Sequence, residues 1–402
     1  MNKTKRPLFH IVKRVKNKIK HPLFHIVKRG EMPWYISWGV RAAAILLALI
    51  CCSVISSIVT DENPISVIGT IIDGSFGSLR KFMVLLQNTA MLLCIALALT
   101  PAFKMKFWNI GGEGQALAGA LAAAACMILM KDMSNWIVIP CMVITSILAG
   151  ALWGAIPAFF KAKFGTNETL FTLMMNYVAI QLVAYFSVVW ENPKGSGNIG
   201  LINALSKVGW FPESLLPQSG VFYDVCSDKL PWLYETVGSK YTLNIIIVAI
   251  VTVCMYFYLN YSKQGYEISV VGESERTARY IGIKVDRVIL RTMLISGAIC
   301  GLAGLLLVGG TNHTLNASIV DGRGFTAVLV SWLGKFNPIW MILTSFLLVF
   351  LGRGAGEIAT DFGLNASFGD ILTGIILFFI IGCEFFITYK ISFTKSAKKE
   401  EK

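Results

Sequence analysis

Apolar runs of about twenty residues recur from residue 37 to residue 389, separated mostly by short polar breaks, and they constrain this chain more than any other feature. A run of that length crosses the hydrocarbon of a bilayer as one helix. The helix is the form that satisfies every backbone N–H and C=O within its own segment. The runs predict about ten transmembrane helices, over 37–59, 83–103, 113–130, 136–158, 169–190, 241–260, 290–309, 322–334, 338–356 and 367–389. The eighth is short, which predicts a broken or re-entrant helix. With 55% hydrophobic and 15% charged residues and a mean hydropathy of +0.64, a soluble domain of this size is excluded. The fold class is an all-α polytopic membrane protein.

The formal net charge of +13 does not indicate nucleic acid, because residues 1–30 hold ten Lys/Arg and no acidic residue. With both termini cytoplasmic, 27 of the 36 Lys/Arg fall on the inner side, as the positive-inside rule requires. The chain therefore divides into a basic cytoplasmic tail over 1–35, a transmembrane domain over 36–390 and a short cytoplasmic tail over 391–402. Within the domain, 191–240 is an extracellular loop and 261–289 a cytoplasmic one. The first tail is duplicated: Pro7-Leu8-Phe9-His10-Ile11-Val12-Lys13-Arg14 recurs as Pro22-Leu23-Phe24-His25-Ile26-Val27-Lys28-Arg29. Leu8, Val12, Val15 and Ile19 share one helical face, which predicts a basic amphipathic helix on anionic membrane lipids. No cleavable signal precedes the first span, so that span is expected to remain as an anchor.

Chemistry in the spans is sparse. Three of the four histidines, His10, His21 and His25, lie in the tail, so a histidine proton relay is not available. Eight of nine cysteines fall in apolar runs and Cys226 lies in a polar loop, giving neither a disulfide framework nor zinc spacing. No intramembrane enzyme site is visible. Two stretches stand out. Phe107 to Gln115 places three glycines, Glu113 and the amides of Asn109 and Gln115 between two apolar runs, which predicts either a tight cytosolic turn or a helix break rising back into the membrane. Between the sixth and seventh runs, Ser274 is placed to cap a short helix, with carboxylates early, Arg279 late and Gly282 ending it.

Four motifs in order carry a resemblance: Asn109–Gln115 with the small-residue run that follows, Asn167–Tyr177, Gly272–Val285 and Ser296–Gly304. Together they resemble the membrane permease of bacterial ABC importers of the simple-sugar/nucleoside type, related to the ribose and branched-chain amino acid permeases. The resemblance implies a pathway for a nucleoside or related small polar solute by alternating access, with a ribose-like sugar as the alternative. An ion-gradient-driven secondary transporter would want intramembrane carboxylates or histidines, which the deep helices supply sparingly.

The resemblance also implies partners: an ABC ATPase subunit, a second permease in a hetero- or homodimer, and an extracellular solute-binding lipoprotein, all at the bacterial cytoplasmic membrane. No Walker A pattern occurs, so ATP and Mg belong to the partner ATPase, and no cofactor is expected on this chain. Asn109, Glu113, Gln115 and Asn176 are candidates for the substrate pathway, with Phe325 as a stacking residue. For Glu113 the competing role is to hold a helix N-terminus, and for Asn176 an interhelical hydrogen bond. Gly272, Glu273, Glu275, Ala278, Arg279 and Gly282 are candidates for coupling to the ATPase. One departure is plain: after Gly324-Phe325 the family usually has an acidic residue and a small apolar run, whereas here Thr326 follows and Trp332 adds bulk.

Overall fold

The structure, a computed structural model, describes residues 24–30, 32–212 and 236–393. The helix expected over Leu8 to Ile19, the first copy of the duplication, Cys226 and residues 394–402 lie outside the described residues. Strand β1 (Phe24–Lys28) opens the described chain. Helices follow as α1 (Trp34–Thr60), α2 (Pro64–Phe76), α3 (Leu79–Lys104), α4 (Gly112–Leu129), α5 (Asn135–Phe164), α6 (Glu168–Val189), α7 (Thr242–Tyr261), α8 (Lys263–Glu273), α9 (Glu275–Tyr280) and α10 (Val285–Leu307). A π-helical turn (Val308–Asn312), α11 (Arg323–Leu333), α12 (Pro338–Asp361), α13 (Ala366–Thr388) and strand β2 (Tyr389–Phe393) complete it.

Nine of these helices, among the described residues, are long and apolar enough to cross a membrane. The expected run at 322–334 is α11, whose 11 residues rise only about 16 Å, roughly half the hydrocarbon thickness. The short eighth run is thus a half-helix with irregular backbone on both sides. The sequence reading had no counterpart for α2, a 13-residue helix too short to register as a span, nor for the separate helix α8.

The chain forms two compact units, residues 1–69 with 358–402 and residues 70–357. In the first, α1 packs on α13. Buried Ser37, Arg41, Ala44, Ala48 and Cys52 recur every three to four residues along α1, and Leu372, Ile376, Ile380 and Cys383 do so along α13. Arg41 donates to Glu384 at 2.6 Å and lies over the Trp38 ring, so these two charges on the seam neutralise each other. Within the second copy of the duplicated segment, Phe24–Lys28 is extended: β1 pairs antiparallel with β2, Ile26 opposite Ile391. Aromatic and β-branched residues suit that ladder better than a helix.

In the second unit α10 is the central helix, buried along most of its length against α3, α4 and α5. Contact with α5 is backbone to backbone. A Cβ on Gly297 would meet the carbonyl of Gly150, and one on Gly301 the carbonyl of Ser146. Such small-residue faces give membrane helices their close approach, where no hydrophobic drive distinguishes partner from lipid.

Candidate functional site

The glycine-rich motif is a buried helix start. After α3 the chain turns at Lys106 (φ 61°) and runs irregularly to Gly111 before α4 begins at Gly112. Its amide N–H groups are met by side chains. Gly111 donates to Asn109 Oδ1 at 3.0 Å, and Gly114 donates to Asn176 Oδ1 at 2.8 Å. Asn176 in turn donates to the Ile110 carbonyl at 2.9 Å, and Ile110 donates to Thr172 at 3.2 Å. Asn109 also donates to Ser296 of α10 at 3.1 Å, and Gln115 donates to Asn109 at 3.3 Å. A helix end leaves four N–H groups without intrahelical partners, and at membrane depth the cost of leaving them unmet is several kcal/mol each.

Glu113 serves a second helix start. Its carboxylate accepts N–H bonds from Gly322 at 3.0 Å and Gly324 at 2.7 Å, the residues that flank Arg323 at the beginning of α11. Glu113 lies in the first turn of its own helix α4, where a role at a helix N-terminus is expected, and simultaneously caps α11. Two positive helix ends therefore meet around one carboxylate. Gly324 permits this: a Cβ there would fall 2.7 Å from Glu113 Cα. Arg323 donates to Asn88 of α3 at 3.2 Å.

Of the five pathway candidates, Asn109, Glu113, Gln115 and Asn176 are all buried about the start of α4: Asn109 and Gln115 bond to each other, Asn176 bonds to the backbone of Ile110 and Gly114, and Glu113 to that of Gly322 and Gly324. Phe325, which follows Gly324 in α11, is 44% exposed and makes no hydrogen bond to that group. Two helical turns further, exposed Trp332 meets Trp108 with ring centroids 5.2 Å apart. Trp108 belongs to the motif but was not singled out from the sequence, although an exposed Trp at a helix break is such a signal.

The segment between α7 and α10 is built oppositely. Ser274 Oγ accepts from Thr277 N–H at 3.2 Å and starts α9, and Gly282, with φ 88°, lets Gly282 and Ile283 N–H close the helix onto the Arg279 and Ala278 carbonyls. Gly272 and Ala278 face inward. A Cβ on Gly272 would strike the Lys104 carbonyl, and Ala278 packs with Ala102, Met105, Phe107, Ile268 and Val285. Glu273, Glu275, Arg279 and Gly282 face out, and Arg279 pairs with exposed Asp286 at 3.0 Å. Tyr280, 91% exposed, and Ile281 add an apolar tip that charge patterning alone did not flag. Among the described residues, no group of three or more His, Cys, Asp or Glu is placed to hold a metal.

Comparison with known proteins is consistent with this layout. The family model described as branched-chain amino acid transport system / permease component matches residues 82–381. The guanosine ABC transporter permease protein NupP of Bacillus subtilis is 30% identical over 312 residues, 77% of this chain and 83% of that one. The glucose ABC transporter permease protein TsgB13 of Haloferax volcanii is 26% identical over 365 residues, 90% of this chain and 92% of that one. The nucleoside ABC transporter permease protein NupB of Lactococcus lactis is 27% identical over 341 residues, covering 84% and 89%. No solved structure matches.

Proposed function

This chain belongs to the branched-chain amino acid transport system / permease component family, and on that premise we propose that it is the membrane subunit of an ATP-driven importer for a nucleoside or related small polar solute. The observation that carries the reading is α9, a short helix fixed inward by Ala278 and by Gly272 of α8 and presenting Glu275, Arg279, Tyr280 and Ile281 outward. Such a helix is a surface on which a soluble ATPase subunit can push. Its motion passes directly into α10, which begins five residues after α9 ends. Alternating access then follows as a tilt of the bundle driven by ATP binding to the partner.

Within this reading Asn109, Glu113, Gln115 and Asn176 shape the pathway by fixing two broken helices, and Phe325 is the residue of the five with a free face for a solute ring. The chain works beside a second permease, an ATPase that carries ATP and Mg, and a solute-binding lipoprotein, in a bacterial cytoplasmic membrane with both termini inside. A sugar is the second reading, favoured by the glucose transporter relative that aligns with 90% of this chain. Reconstitution with and without a co-expressed ATPase tests the proposal. ATP-dependent uptake of radiolabelled nucleosides over pentoses and hexoses is expected; gradient-driven uptake by this chain alone, with no ATPase association, overturns it.

A further inference from the structure

The end of α10 away from α9 is not an ordinary helix terminus. It widens into a π turn at Val308–Asn312, contains Gly309-Gly310, and leaves the helix through His313 in the left-handed region at φ 51°. π turns cost hydrogen-bond geometry and occur mostly where a helix must do something other than pack. Two helices hold this one from the side: Gln87 of α3 and Asn244 of α7 both donate to Thr311 Oγ1, at 2.8 and 2.9 Å. Both amides are buried, and among the described residues Gln87 Oε1 and Asn244 Oδ1 accept no hydrogen bond, so the clamp is incomplete in this arrangement.

A connecting segment then closes over that end. Phe211 N–H donates to the Gly309 carbonyl at 2.9 Å and Ile202 N–H to the His313 carbonyl at 2.8 Å. The Trp210 and His313 rings stack at 3.8 Å and 4°. Ile199, Ile202 and Phe211 are buried beneath. The segment's other anchors are on different helices: Asn203 donates to the Met127 carbonyl at 2.7 Å, and Gly209 N–H to Asn135 at 2.8 Å. It is thus fastened to the ends of α4 and α5 and rests on the end of α10.

We infer that residues 198–211 form a latch over the π-helical end of α10, released when α10 is displaced. The inference rests on the proposed function for its driving force. With its π turn, α10 is a single rod of roughly 40 Å that starts beside α9 and ends under the latch. Movement of the rod relative to α4 and α5 stretches the contacts at Gly309 and His313, while those at Met127 and Asn135 persist. The two backbone bonds and the ring stack are directional, so they re-form in register when the rod returns.

A cysteine pair tests this, Phe211→Cys with Gly309→Cys, in a chain whose nine native cysteines are replaced. Oxidative cross-linking of the resting chain is expected to go near completion, and trapping nucleotide on the co-expressed ATPase is expected to lower the yield about tenfold. Uptake is expected to fall at least tenfold in the cross-linked sample and to return with reductant. Equal uptake before and after reduction, or a resting yield at background, overturns the latch. Failure of the parent to take up solute with ATP, beside a high resting yield, faults the proposed energy source and not the latch. Should the pair not fold, Trp210→Ala is expected to raise solute-independent ATP hydrolysis several-fold and Trp210→Phe to restore it; unchanged hydrolysis in both overturns the inference.

Discussion

Glu113 and Glu191 perform the same local task in opposite surroundings. Glu113 accepts N–H bonds from Gly322 and Gly324 at 3.0 and 2.7 Å, and Glu191 accepts from Gly195 and Gly197 at 2.8 and 3.0 Å. Each carboxylate thus gathers two amides separated by one residue. Glu113 is buried and its partners lie 209 and 211 residues away, whereas the Glu191 group is exposed and its partners lie 4 and 6 residues away. At Glu191 water replaces any bond that is lost. At Glu113 the buried Gly324 N–H has no such substitute, so equal geometry carries unequal consequence.

The largest effect is expected from Glu113→Ala. The part-buried Gly322 N–H and the buried Gly324 N–H, which are the cap of α11, would lose their acceptor, at up to about 1–3 kcal/mol each. A fall of several degrees in the thermal midpoint, by fluorescence size-exclusion, checks this; a midpoint equal to wild type would remove the distinction between the two sites. Gly324→Ala comes next, because its Cβ must displace Glu113, with an expected cost of about 1–3 kcal/mol. Gly197 has open space around it but φ 68°, so Gly197→Ala is expected to cost less, about 1 kcal/mol from the backbone alone.

The exposed segment sharpens the contrast by separating function from stability. Arg279→Ala removes a solvated ion pair, so the midpoint is expected to stay unchanged while ATP-coupled uptake falls about tenfold. Parallel melting and uptake assays decide whether the residue acts in coupling. The smallest effect is Glu191→Gln, with no resolvable midpoint shift. Its effect is visible in pH dependence instead. The Gly195 and Gly197 amides hold the Glu191 carboxyl below the usual carboxylate range. The loop's order is therefore present above the ordinary glutamate value of about 4.3 and lost as pH falls through the lowered one. Exchange protection of Gly195 and Gly197, corrected for intrinsic rates, reports it. Protection already lost at neutral pH contradicts the assignment.

The same contrast explains how much could be read from the sequence. Ser274 was identified as a cap because its partner Thr277 is three residues on, and Gly282 as a terminator because its left-handed conformation is a local need. The apolar runs located the spanning helices to within a few residues at most ends, and the short eighth run was correctly set apart, because length against bilayer thickness is a one-dimensional property. The role of Glu113 was half legible: a carboxylate in a first helical turn suggests a cap, but nothing in Asn109–Gln115 states that the capped helix starts two hundred residues later. The π turn was not legible, since Val308–Asn312 differs from an ordinary glycine-containing helix end only through Asn244, Gln87 and Phe211, which come from three other segments.

The seam between α1 and α13 has a consequence for the order of synthesis. Arg41 is made 343 residues before Glu384, its counter-ion, and β1 long before β2. At ribosomal speeds that is an interval on the order of tens of seconds. Through that interval the first span has, among the described residues, the Trp38 ring against Arg41 and not yet the carboxylate that the seam provides. Among the described residues, the last helix to emerge is therefore also the one that completes the charge pairing of the first.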